Sequence, residues 1–107
     1  MAFLIVENEM ENNFIEINGV KLAYNFMPNG QKTIVFIHGN SSCKEAFKHQ
    51  IEYFSKNNYG VLAIDLPGHG ASENASIPNN VYTMPNYAKI LMSAIKSIVK
   101  GDFIVVG

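Results

Sequence analysis

Two short stretches hold most of the residues whose types and spacing could do chemistry: His38-Gly39-Asn40-Ser41-Ser42 and Asp65-Leu66-Pro67-Gly68-His69-Gly70-Ala71-Ser72. Each follows an apolar run, where a strand would give way to a loop. The first suits stabilisation of a developing oxyanion. Acyl transfer places negative charge on a former carbonyl oxygen, and a backbone N–H aimed at that oxygen stabilises it without reorganisation. Gly39 has no side chain to block a close approach, and a helix beginning near Ser42 would point its positive end the same way. The second stretch reads as a built turn. Gly68 and Gly70 permit backbone angles closed to other residues, Pro67 keeps Leu66 extended, and the Asp65 carboxylate can accept backbone N–H bonds. Asp65 is therefore expected to be structural rather than a catalytic acid. Gly68-His69-Gly70 is a weak phosphate cradle, because position 73 is Glu and no helix begins directly after the pair.

The other polar candidates have plainer roles. Ser41 and Ser42 precede an amphipathic run without a base beside them and read as helix caps, with Ser42 and Glu45 spaced as a capping box. Cys43, at a helix start where the dipole could lower a thiol pKa, is expected to be a small filler beside the pocket. His49 falls between Phe47 and Ile51 on a helix and reads as a surface residue, and His69 lies between two glycines. Three scattered histidines without His-x-x-x-His spacing give a metal site no support, and no cofactor is expected.

Composition narrows the function classes. The chain has 107 residues, 48% hydrophobic and 16% charged, which suits one domain or part of one. All eight basic residues are Lys and the net charge is -1, which argues against a nucleic-acid surface. The apolar run Ala2 to Val6 is too short for a signal or a membrane span, and a single Cys43 closes no internal disulfide. A soluble cytoplasmic protein is expected.

The elements that must position the two stretches follow from periodicity and turns. Asn13 to Phe26 reads as a hairpin about Asn18-Gly19, with Ile15 and Ile17 alternating with Glu16, and Val20, Leu22 and Tyr24 with Lys21. A second turn falls at Met27-Pro28-Asn29-Gly30. Thr33 to Ile37, Val61 to Ile64 and Phe103 to Val106 are unbroken apolar runs, as a parallel sheet covered on both faces requires. Between them lie two amphipathic helices, Ser42 to Asn57 with Phe47, Ile51 and Phe54 inward, and Thr83 to Lys100 with Tyr87, Leu91, Ile95 and Ile98 inward. The fold class is therefore α/β: a mixed, mostly parallel sheet with an N-terminal antiparallel hairpin and helices on both faces. Ligands of such sheets bind outside the carboxyl ends of the parallel strands, where both polar stretches and Gly107 fall.

With both motifs in order after their strands, the chain resembles the amino-terminal portion of an α/β-hydrolase-fold protein. His38-Gly39 resembles the start of that family's oxyanion loop, with Asn40 at the backbone donor position, and Asp65 to Ser72 is similar to its Asp-x-x-Gly-x-Gly-x-Ser loop. The resemblance implies that Gly39, Asn40 and Ser41 line the oxyanion and substrate site, while His38, Asp65, Gly68 and Gly70 form the structural motif. Residues 1–107 would then be the N-terminal part of a single domain, comprising the hairpin, three parallel strands and two helices.

The family's nucleophile sits in Gly-x-Ser-x-Gly after the fifth strand, with an acid and a His further on. Phe103 to Gly107 matches that strand and the first Gly, and no Gly-x-Ser-x-Gly occurs in the chain. The full-length form is expected to be a serine esterase, lipase or C–C bond hydrolase acting on a small ester-like substrate. This chain alone, lacking nucleophile, acid and base, is expected to be inactive. Asn40 keeps a second option open, since in the related haloalkane dehalogenases an Asn after His-Gly helps hold the halide; epoxide hydrolases fall in the same branch. A third is a non-enzymatic truncated module that self-associates or docks a complementing C-terminal fragment through its apolar fifth strand. A small flavodoxin-like or nucleotide-binding protein is disfavoured by the lack of a Gly-rich turn after the first parallel strand.

Overall fold

A computed structural model describes residues 11–29, 32–39, 42–74 and 83–107. The Ala2–Val6 run, Gly30, Asn40 and Ser41 lie outside them. Strands β1 (Asn13–Ile17) and β2 (Val20–Met27) pair antiparallel about Asn18 and Gly19, whose φ values of 51° and 77° are those of a type I′ turn. Three further strands follow: β3 (Lys32–Ile37), β4 (Gly60–Ile64) and β5 (Asp102–Val106). They form one sheet of order β1-β2-β4-β3-β5, in which β3 runs parallel to both β4 and β5 while β2 meets β4 antiparallel.

Helices cover both faces because each parallel crossover must bury an apolar stripe. A 3-10 turn (Lys44–Phe47) runs into α1 (Lys48–Lys56), and Ile51, Phe47 and Phe54 pack with Ile34, Phe36, Val61 and Ala63 on one face. The Phe36 ring lies 5.0 Å from Phe47 and 6.2 Å from Phe54, centroid to centroid. Helix α2 (Met84–Ile98) lays Ile90, Ala94 and Ile95 on the opposite face, against Val20, Leu22, Val35, Leu62 and Ile64. Thr83 caps α2, its hydroxyl accepting from the Asn86 N–H at 3.3 Å.

Three local expectations change. The capping box is not made: Cys43 holds the N-cap position without a side-chain capping bond, and the Glu45 carboxylate bonds Lys44 instead. The stripe of α2 is centred on Ile90 as well as Ile95, with Tyr87, Leu91 and Ile98 at its margins. Strand β2 does not alternate cleanly, since Ala23 and Asn25 are buried beside Val20 and Leu22. It is an inner strand, flanked by β1 and β4, and the loop after β4 continues along its edge, bonding the backbone of Lys21 and Ala23.

Candidate functional site

The register brings the carboxyl ends of the three parallel strands to one edge of the sheet. Ile37 lies opposite Ile64, and Phe36 opposite Val106, so the chains leaving β4 and β5 emerge on either side of the chain leaving β3. This is the edge at which open α/β sheets bind ligands.

Residues His38 and Gly39 carry the chain off β3. Gly39 is exposed, and a Cβ added there would meet no atom within 4 Å. Its conformation needs no glycine; what the missing side chain leaves is open space. The Gly39 carbonyl accepts from His38 Nδ1–H at 2.7 Å and from the Ser42 N–H at 3.2 Å. His38 itself is buried, and its Nε2 accepts the Leu66 N–H at 3.0 Å. An imidazole that accepts at Nε2 carries its proton on Nδ1, so the ring is neutral and spans the two loops. Its Nε2 also lies 3.9 Å from Asp65 Oδ1, but no proton sits between them and the contact is no ion pair.

Asp65 follows β4 and is fully buried. Its Oδ1 accepts the Lys44 N–H at 2.7 Å, and its Oδ2 accepts from Lys44 Nζ at 2.9 Å and from the Ala71 N–H at 3.0 Å. The carboxylate is thus surrounded by donors, as a buried charge requires. The first N–H of the 3-10 turn is one that the turn itself leaves free; here it is satisfied from a loop 21 residues away in sequence. The positive end of that turn is therefore met by Asp65, not held free for a ligand as its place in the sequence suggests.

The rest of the second loop closes around this carboxylate. Gly70 has φ +52°, and a Cβ on it would collide with the Asp65 carboxylate, so both backbone angle and space demand glycine. Gly68 turns with φ 75°, and its N–H reaches the Glu73 carbonyl at 2.8 Å. The Ser72 hydroxyl donates to the Asp65 carbonyl at 2.7 Å and accepts the Ala23 N–H at 2.8 Å, tying the loop to β2. The His69 ring lies against that of His38, tilted by 49° with centroids 5.2 Å apart.

Lys44 is the residue the motifs did not single out. Its side chain is 1% exposed, with Nζ bonded to Asp65 and, at 2.8 Å, to Glu45 Oε2. Burial by itself disfavours the ammonium, but hydrogen bonds to Glu45 and Asp65 and their charges outweigh that cost and hold its pKa above the ordinary 10.5. Partial burial would likewise raise the Glu45 carboxyl, yet the bond from Lys44, helped by a backbone N–H and Cys43, holds it below the ordinary 4.5. A lysine at a helix start reads as a solvated cation. The available signal was a buried-type Asp in the second motif with no cation assigned to it.

The arrangement thus gathers His38, Gly39, Lys44, Asp65, Gly68 and Gly70 at one edge, while His49 stands exposed on α1. Among the described residues no group of three or more His, Cys, Asp or Glu side chains could hold a metal ion, and no helix is long and apolar enough to cross a membrane.

A mixed sheet of this order, with loops of this kind after its parallel strands, defines an α/β protein of the hydrolase type. The model of the alpha/beta hydrolase family matches residues 34–107, and the chain belongs to that family. It is 38% identical over 63 residues, 59% of its length, to an (E)-2-((N-methylformamido)methylene)succinate hydrolase of Acinetobacter baylyi, covering 24% of that protein. It is 29% identical over 92 residues, 85% of its length, to the uncharacterized hydrolase YugF of Bacillus subtilis, covering 33% of it. The crystal structure of the Cif epoxide hydrolase from Acinetobacter nosocomialis superposes with a TM-score of 0.77 at 36% identity, covering 90% of this chain and 30% of that one. The chain therefore spans between a quarter and a third of the length of these relatives.

Proposed function

We propose that residues 1–107 are the N-terminal part of one hydrolase domain, and that the whole protein hydrolyses a small carbonyl compound, ester-like in its reacting group. The carrying observation is the held carbonyl of Gly39. His38 and Ser42 both occupy it. On this reading the backbone N–H of Asn40, which follows that carbonyl in the chain, serves as the oxyanion donor. The same reading gives Gly39 and Ser41 to the substrate site. The attacking group would come from the segment after β5, which the register delivers beside this loop. A bacterial relative named as a putative esterase/lipase, 32% identical over 53 residues, supports the ester reading.

A second reading, epoxide opening by an Asp nucleophile, is favoured by the 36% identity to the Cif epoxide hydrolase. The two are separated by the residues that follow Gly107 in the natural polypeptide, together with its turnover of an activated short-chain ester and of an aryl epoxide. Ser two positions after Gly107, with ester turnover lost on its replacement by Ala, supports the first; Asp there with epoxide turnover supports the second. Neither activity in the natural polypeptide would sink both. Residues 1–107 alone are expected to show no turnover above buffer.

A further inference from the structure

Lys44 presents an energetic puzzle. A long cationic side chain is buried against a buried carboxylate, although a well-packed apolar pair would serve stability as well or better. Such a pair has a use when it specifies geometry, and what this one joins is specific. Lys44 closes the segment that leaves β3, and Asp65 opens the loop that leaves β4. At the other end of the segment His38 joins the same two loops, through Gly39 on one side and Leu66 on the other.

We propose that Lys44 is a positioning residue for the chain that leaves β3 at Gly39, its ammonium and backbone N–H clamping Asp65 so that Ser42 and Cys43 are held against the loop that leaves β4. This rests on the reading of Gly39 to Ser41 as an oxyanion loop, because only then does the clamp serve catalysis. The backbone bond alone cannot do it. Any residue but proline at position 44 supplies an N–H, but without the ammonium the carboxylate keeps only backbone donors and a buried, uncompensated charge. Glu45 draws on the same ammonium from the solvent side, and His38, neutral at Nε2, adds no charge.

The test uses the natural polypeptide that carries these residues. In Lys44→Met, amide exchange at Ser42 and at position 44 is expected to quicken at least ~10-fold while the β4 amides of Leu62 and Ala63 hold, and Lys44→Arg should restore protection. Unchanged exchange, or an equal rise throughout β4, would overturn the clamp. Should the Met variant not fold, the wild type decides: the Lys44 ammonium, buried and bonded to Asp65, should give a resolved, slowly exchanging ammonium proton signal near neutral pH. An ammonium that exchanges with solvent as fast as the exposed lysines overturns the pairing. Hydrolysis gives the functional arm, with kcat expected to fall ~10-fold or more in Lys44→Met at nearly constant KM, and to recover in Lys44→Arg. Loosened exchange with unchanged kcat overturns the positioning role and leaves the hydrolase reading intact. A wild type without hydrolysis overturns the hydrolase reading, and amide and ammonium exchange then still decide the clamp.

Discussion

At Gly70 two independent constraints meet, a positive φ and a Cβ position already filled by the Asp65 carboxylate. Gly70→Ala is therefore expected to destabilise by about 2–3 kcal/mol, at the upper end for a strained backbone site, read as a lowered urea midpoint. Gly39→Ala, with open space and no positive φ, should leave that midpoint nearly unchanged. The Lys44 pair sets a pH window. Its folded pKa is raised, so its stabilisation is complete below the ordinary lysine value of 10.5 and is lost as pH rises through the higher folded value. Glu45 acts oppositely: its folded pKa is lowered, so its share is present above 4.5 and is lost as pH falls through the lower folded value. Urea midpoints measured above about pH 10 should fall in the wild type, and Lys44→Met should flatten that limb. Glu45 is mostly exposed, so Glu45→Ala should cost no more than about 0.5 kcal/mol. Of these residues, Gly70, Asp65 and His38 stood out in the sequence by motif. Lys44 did not, since nothing local distinguishes a buried lysine from a solvated one.

Helix α2 shows how far an element can be read from its own residues. Thr83 before Pro85 and a run of apolar residues at helical spacing mark its start and its buried face, and the structure places its N-cap at Thr83. Thr83→Ala should cost about 1 kcal/mol, while Ile90→Ala, at a fully buried position on the sheet, should cost about 2–5 kcal/mol. Thermal or urea unfolding of the two variants checks the ranking. The first helical segment departs from its pattern. Ser42 and Glu45 have capping-box spacing, but Asp65 already holds the first free N–H of the 3-10 turn and Lys44 already holds Glu45. A partner brought in by tertiary packing outcompetes the local one because its charge is buried and must be satisfied. Strand β2 follows the same logic: a hairpin strand reads as half-wet until β4 and the loop after it pair along its other edge, bonding Ala23 through Ser72 and Lys21 through Glu73.

On the scale of the molecule, the sheet runs from the hairpin to β5, which pairs with β3 on one side among the described residues. Ile104, Val105 and Val106 are 47%, 47% and 40% exposed. An apolar strand with a free row of backbone groups invites association. Residues 1–107 in isolation should therefore show concentration-dependent self-association at micromolar concentrations in sedimentation velocity, and Val105→Lys should reduce it; a strictly monomeric wild type would contradict this. Periodicity and turn chemistry determined the hairpin, the three continuous apolar strands, the two helices and the order of the polar loops, because each depends on residues within a few positions of one another. Their alternation also determined the parallel sheet, and with it the edge where those loops meet. Tertiary structure alone decided which polar groups face each other there: that Asp65 accepts the first N–H of a helical turn 21 residues earlier, that Lys44 is its counter-ion, and that His38 is a neutral bridge between loops. The reason is physical. A hydrogen bond or ion pair across two loops depends on strand register and crossover height, which only the packed sheet establishes, and burial then makes each of those partners obligatory.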